Sequence, residues 1–180
     1  MPSVVRRIAS IFVLCAMTSA FANAAPEYQV KAAFLFNFSQ FVSWPPRAFT
    51  SASAPIVIAV LGRDPFGAAL DAVVSGEHVN GHPFAVRRYR DVSEVEDCQI
   101  LFIDRSESAQ LPQILQALRG RAILTVSDIE GSAQSGVMID LVTRSDHIRM
   151  HINLAAARAS GLTVSSQLLK LARIIGPMSD

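Results

Sequence analysis

His147 and His151 stand four residues apart, a spacing that on a helix would aim both imidazoles at one metal ion. Ile148, Met150 and Ile152 alternate with His147, Arg149 and His151, however, and that is strand periodicity with one wet face. On a strand, four residues span about 13 Å at about 3.3 Å each, too far for two ligands with zinc bonds of about 2 Å. His147, Arg149 and His151 therefore read as solvated surface or a partner contact, and no metal or cofactor is expected.

Gly62-Arg63-Asp64-Pro65-Phe66-Gly67 follows a short apolar run, where a phosphate-binding turn would sit. It lacks both the G-x-G-x-x-G spacing and the Walker lysine. Free N–H groups at a following helix could still favour an anion, with Arg63 assisting. Asp104-Arg105-Ser106 and Ser127-Asp128 each follow an apolar run of their own. In an open parallel sheet such carboxyl-end loops converge on one edge, the usual ligand crevice. Arg63, Asp64, Arg105, Ser127 and Asp128 are thus candidate ligand-binding residues by position. No G-x-S-x-G, no cysteine with an adjacent histidine and no spaced carboxylate pair supplies a nucleophile or an acid–base couple. No catalytic residue is assigned, and the chain is not read as an enzyme.

The elements that must position these residues follow from periodicity. Between Tyr28 and Val42, Val30, Phe34, Leu35, Phe38, Phe41 and Val42 predict one broad apolar helix face, stopped by Trp44-Pro45-Pro46. Phe36 falls on the polar side of that helix, where it contacts either another part of the fold or a partner. Ile56 to Leu61, Phe84 to Tyr89, Ile100 to Ile103 and Ile123 to Val126 read as strands. Asp64 and Pro65 are expected to open a helix reaching Val74. Ser106 is expected to cap another, carrying Leu111, Ile114, Leu115 and Leu118 at i, i+3, i+4 and i+7. Val137 to Val142 and His147 to Ile152 form a hairpin around Thr143 to Asp146. Asn153 caps a helix through Ala159, and Ser165 opens a last helix, Leu168 to Ile175, with Lys170 and Arg173 on one solvated face. The fold class is α/β: three layers, a mainly parallel sheet flanked by helices, with an antiparallel hairpin near one edge.

The N-terminus has the parts of a secretory signal peptide: Arg6 and Arg7, the apolar run Ile8 to Met17, and Ala22-Asn23-Ala24 before the expected cut. Residues 1–24 are thus expected to leave, and 25–180 to form a single domain working outside the cytoplasm, with no membrane insertion after cleavage. The precursor has 16 basic and 15 acidic side chains. Losing Arg6 and Arg7 leaves 14 against 15, a balance that argues against nucleic acid as a partner. Cys15 leaves too, so Cys98 becomes the only cysteine and no internal disulfide can form.

Several segments stand out together: Tyr28-Gln29-Val30-Lys31-Ala32-Ala33-Phe34-Leu35-Phe36-Asn37-Phe38 with Phe41 and Trp44-Pro45, then Val60-Leu61-Gly62-Arg63-Asp64-Pro65-Phe66-Gly67 and Ile100-Leu101-Phe102-Ile103. Leu124-Thr125-Val126-Ser127-Asp128, Gly136-Val137-Met138-Ile139, Ile152-Asn153-Leu154-Ala155-Ala156-Ala157 and Ser165-Ser166-Gln167-Leu168-Leu169-Lys170-Leu171-Ala172 follow in order. In this order they resemble the YfiR family of periplasmic proteins. The resemblance implies a small α/β domain, often a homodimer. It also implies restraint of an inner-membrane signalling protein, a diguanylate cyclase, through its periplasmic sensor region, which keeps cyclic-di-GMP and biofilm output low. Disulfide control, known in that family, does not carry over to a chain with one mature cysteine. On this reading Phe36, His147, Arg149 and His151 are the expected partner-binding residues. The alternative is a periplasmic sensor of a small anion or nucleotide, using the crevice residues above.

Overall fold

The computed structural model describes residues 24–176; the expected signal peptide lies outside them except for Ala24, so the expected cut after Ala24 falls at the start of the first helix. The helix α1 (Ala24–Phe41) has Glu27 in its first turn, favourable to the helix dipole, and it gives way before Trp44-Pro45-Pro46. Its buried stripe is Lys31, Ala32, Leu35, Phe38 and Ser39, continuing to Val42. The expected face is therefore rotated: Val30 is 49% exposed, and Phe34 and Phe41 are only partly buried. Apolar residues lie on both sides of this helix, so periodicity could not centre the stripe; the lysine that turns inward does.

Two-residue strands β1 (Val42–Ser43) and β9 (Thr163–Val164) pair antiparallel, tying the end of α1 to the C-terminal region. The main sheet contains β2 (Ile56–Leu61), β3 (His78–Val79), β4 (His82–Tyr89), β5 (Ile100–Ile103), β6 (Leu124–Ser127), β7 (Ile139–Arg144), β8 (His147–Asn153) and β10 (Arg173–Ile175). Their order is β10-β8-β7-β6-β5-β2-β4-β3. Strands β4, β2, β5, β6 and β7 run parallel, while β8 turns back antiparallel to β7. The hairpin turn places Ser145 and Asp146 at positive φ, 48° and 60°, the pair of conformations a two-residue turn needs to match strand twist.

Strand alternation divides the core into two clusters. Ile58, Val60, Ile100 and Phe102 face α1, Leu70 and Val74 of α2 (Ala68–Val74), Ala157 of α4 (Leu154–Ala159) and Leu168 of α5 (Ser166–Leu171). Val57, Ala59, Leu61, Leu101 and Ile103 face Leu111 and Ile114 of α3 (Leu111–Ala117). The α/β architecture is the one expected from the sequence.

Three local expectations are corrected. The helix after β2 starts at Ala68 rather than Pro65: the Asp64 carboxylate instead accepts from the Phe66 and Gly67 N–H groups, holding a turn, and Gly67 at φ 52° breaks helical geometry. The helix after β5 is entered through a 3-10 segment, Arg105–Gln110, capped by Asp104 rather than Ser106. The last helix stops at Leu171, and Arg173–Ile175 forms β10, parallel to β8. Leu168 is buried whereas Leu171 and Ile174 are 73% and 52% exposed, so a continued helix would have gained little burial. The β-branched Ile174 and Ile175 instead gain strand pairing with β8. Arg173 consequently shares no helix face with Lys170.

Candidate functional site

The carboxyl ends of β2, β5 and β6 do converge, and the crevice they form is filled by the chain itself. Asp128 follows β6, and its Oδ2 accepts from the Tyr28 hydroxyl at 2.7 Å and from Arg105 Nη2 at 2.7 Å. Lys31 Nζ lies 3.2 Å from the same oxygen and pairs one turn back with Glu27. Arg105 also donates to the Tyr28 hydroxyl at 2.9 Å, and Glu27 accepts from Thr143 Oγ1 at 2.7 Å. Lys31 and the Asp128 side chain are both fully buried. Two charges taken out of water repay their desolvation only with the help of extra hydrogen bonds; Tyr28 and Arg105 supply them to Oδ2, while Asp128 Oδ1 is buried without a hydrogen-bond partner among the described residues. The Tyr28 ring adds a cation–π contact, 4.7 Å from Lys31 Nζ. It also rests edge-on against Phe66, which packs edge-on against Phe102 in the core, at centroid distances of 5.5 and 4.7 Å.

Burial alone would raise the Asp128 carboxyl, but Lys31, the Tyr28 hydroxyl and Arg105 outweigh it and hold the group below the ordinary aspartate range. Glu27 follows the same logic: desolvation is overcome by Lys31, Thr143 and Arg105. Burial and the neighbouring Asp128 push the Tyr28 phenol up, so it stays a proton donor and offers no base. A carboxyl depressed in the fold contributes stability that is present above its unfolded value, near about pH 4, and lost as pH falls through the folded one. Denaturant melts of the native chain are expected to lose stability between about pH 5 and pH 2, and an Asp128→Asn variant to lose less over that window. Parallel losses in the two proteins would refute the assignment.

The other crevice candidates are also engaged internally. Ser127 Oγ donates to the Ile103 carbonyl at 2.7 Å and accepts from the Ile129 N–H. Asp64 Oδ2 accepts from Arg88 Nε at 2.6 Å, and Arg88 pairs with Asp71 as well. At Gly62, φ is +93°, and a Cβ would stand 2.7 Å from both Ser106 Oγ and Glu107 Oε1. The chain's own hydroxyl and carboxylate thus close over the turn that could have received an anion. Ser106 Oγ accepts from the Arg63 N–H at 3.1 Å, and the exposed Arg63 side chain makes no ion pair among the described residues. The structure therefore joins Arg105 to Asp128, and Asp64 to a separate Arg88–Asp71 cluster. Glu27, Tyr28 and Lys31 were missed from the sequence. Their signal was a lysine inside an aromatic-rich helix, spaced i+4 from Glu27 and i+3 from Tyr28.

At the far end of the sheet, β8 carries the three residues expected on its wet face. His147 and Arg149 are exposed. His151 is partly buried, with Nδ1 2.6 Å from Oδ1 of the fully buried Asp140 directly across the β7–β8 ladder. No hydroxyl or thiol hydrogen-bonds this histidine among the described residues. Phe36 packs on Phe84 with ring centroids 5.3 Å apart, half-sheltered within the fold.

The YfiR/HmsC-like family model matches residues 28–173, which take in Tyr28, Lys31, Arg105 and Asp128 of the charge network and the hairpin. The chain belongs to the YfiR/HmsC-like family. No curated protein matches it. Membership suggests a periplasmic regulator of diguanylate cyclases, in a family of regulators rather than enzymes. In this YfiR/HmsC-like chain, Cys98 is the free cysteine of the described residues, buried beside Val95 and Leu118. Desolvation pushes its thiol up to about 12, and a thiol, unlike a thiolate, is a poor nucleophile. Maleimide at neutral pH is expected to leave Cys98 unlabelled in the native protein and to label it fully in denaturant. Rapid native labelling would show a breathing core.

Proposed function

We propose that this protein restrains an inner-membrane diguanylate cyclase by binding its periplasmic region. The observation that carries this reading is the occupied crevice: Tyr28, Lys31 and Glu107 of the chain itself stand where a small ligand would, and side-chain chemistry is left free on outer surfaces instead. Those surfaces include His147 and Arg149 on β8, with His151 behind them and Phe36 on the other side of the sheet as a half-buried flank. Restraint by binding needs no catalytic group, only a surface whose affinity differs between two states of the partner. We read the N-terminal residues as a signal that exports the chain to the periplasm. Small-ligand sensing at Arg63, Asp64, Arg105, Ser127 and Asp128 would require α1 to withdraw, at the expense of the Lys31–Asp128 network. A thermal-shift screen with nucleotides, amino acids and simple anions separates the two readings: a flat response, unchanged in Arg63→Ala, supports protein binding. In cells, deletion of the gene is expected to raise cyclic-di-GMP and biofilm formation, and the intact gene to restore both. An unchanged cyclic-di-GMP level in the deletion strain contradicts the proposal.

A further inference from the structure

The β10 end of the sheet combines an open backbone edge with unpaired positive charge. β10 pairs with β8 on one side and has no strand on the other among the described residues. Such an edge offers backbone donors and acceptors to an extended chain. The register places Arg173 opposite His151, and Arg149, two residues along β8, shares that face. Arg149 and Arg173 are exposed, and neither forms an ion pair among the described residues. With Arg144 and His151 they line a groove of about 770 Å³, completed by Leu171 and Ile175. The acidic groups beside it are already engaged, Asp140 with His151 and Glu130 with Arg144. On the reverse face of β10, Ile174 is 52% exposed.

One charge on an edge strand guards against unwanted pairing. Two arginines on the same face of neighbouring strands, with an exposed isoleucine on the reverse face, do more: they match a strand that alternates acidic and apolar side chains. A small anion would satisfy the guanidinium groups and leave the backbone edge bare, whereas an extended segment satisfies both. We propose that this edge receives an extended acidic segment of the protein partner as a ninth strand beside β10, its carboxylates toward Arg149 and Arg173 and its apolar side chains beside Ile174. This deepens the protein-binding reading above, on which it rests, by naming the chemistry of the segment bound.

The test uses a short, capped, fluorescent peptide of alternating glutamate and valine, followed by anisotropy against the whole protein. It is expected to bind, while the same peptide with lysine for glutamate does not, and backbone N-methylation along one edge abolishes binding. The double variant Arg149→Glu/Arg173→Glu is expected to weaken the acidic peptide at least about tenfold and to favour the lysine peptide instead. Ile174→Asp, which leaves both arginines in place, is expected to weaken it as well. Equal affinity for the two peptides, no binding of the acidic one, or binding indifferent to the double reversal overturns the proposal. Self-association abolished by the same reversal also overturns it, since a second copy would then hold the edge. A cyclase periplasmic region that binds the reversed variant as tightly as the native protein refutes the edge while leaving the protein-binding reading intact. One that binds neither refutes that reading itself.

Discussion

Asp128→Ala is expected to cost about 3–5 kcal/mol of folding stability, the usual consequence of removing one partner from a buried ion pair. The Lys31 ammonium would remain fully buried, with only Glu27 within ion-pair distance. Arg105, whose side chain is 59% exposed, would turn to solvent at little cost. The loss is to be read from the midpoint of urea unfolding at neutral pH, with the slope unchanged. A double variant, Lys31→Met/Asp128→Leu, is expected to recover most of it, because an apolar pair of similar volume removes both desolvation penalties together. A cost below about 1 kcal/mol for Asp128→Ala, the range of solvent-screened pairs, would mean that water reaches the network and that α1 is not locked by it.

Phe102→Ala is the second large effect, again about 3–5 kcal/mol, from lost burial and the cavity left behind. For a chain of this size that corresponds to a fall in Tm of about 6–20 °C. Phe102 is fully buried on β5 and forms the floor on which Phe66 stands, with Tyr28 resting on Phe66 in turn. The cavity therefore opens directly beneath the charge network. Phe102→Leu, which keeps most of the volume, is expected to lose distinctly less. Equal losses from the two variants would show that packing volume at this position is not what stabilises the fold.

These two residues mark how far the sequence could be read. Ile100 to Ile103 shows its burial directly, because a strand covered on both faces is a continuous apolar run; the same holds for Ile56 to Leu61. The hairpin from β7 to β8 was legible from alternation, and Asn153 and Ser165 from capping chemistry. Asp128 was legible only as a position at the carboxyl end of a strand. Two of its partners, Tyr28 and Lys31, lie 100 and 97 residues away on α1, and no local pattern reports that Lys31 turns inward. Asp140 was hidden in the same way, a carboxylate within an apolar strand whose cross-strand neighbour His151 becomes visible only with the register. β10 was read as helix because Leu168, Leu169, Leu171, Ile174 and Ile175 would cover most of a helix and leave Lys170 and Arg173 on one face, and only pairing with β8 distinguishes a strand from a helix there. Function was legible mainly through the family pattern, since a surface that binds another protein carries no local motif.

The most direct measurement of the central claim is calorimetric titration of this protein with the isolated periplasmic region of a diguanylate cyclase from the same cell. The account predicts a saturable complex at micromolar concentration or tighter, formed equally by the native chain and by Arg63→Ala. No heat and no co-elution at micromolar concentration would contradict it, as would a complex that forms only when a small ligand is added.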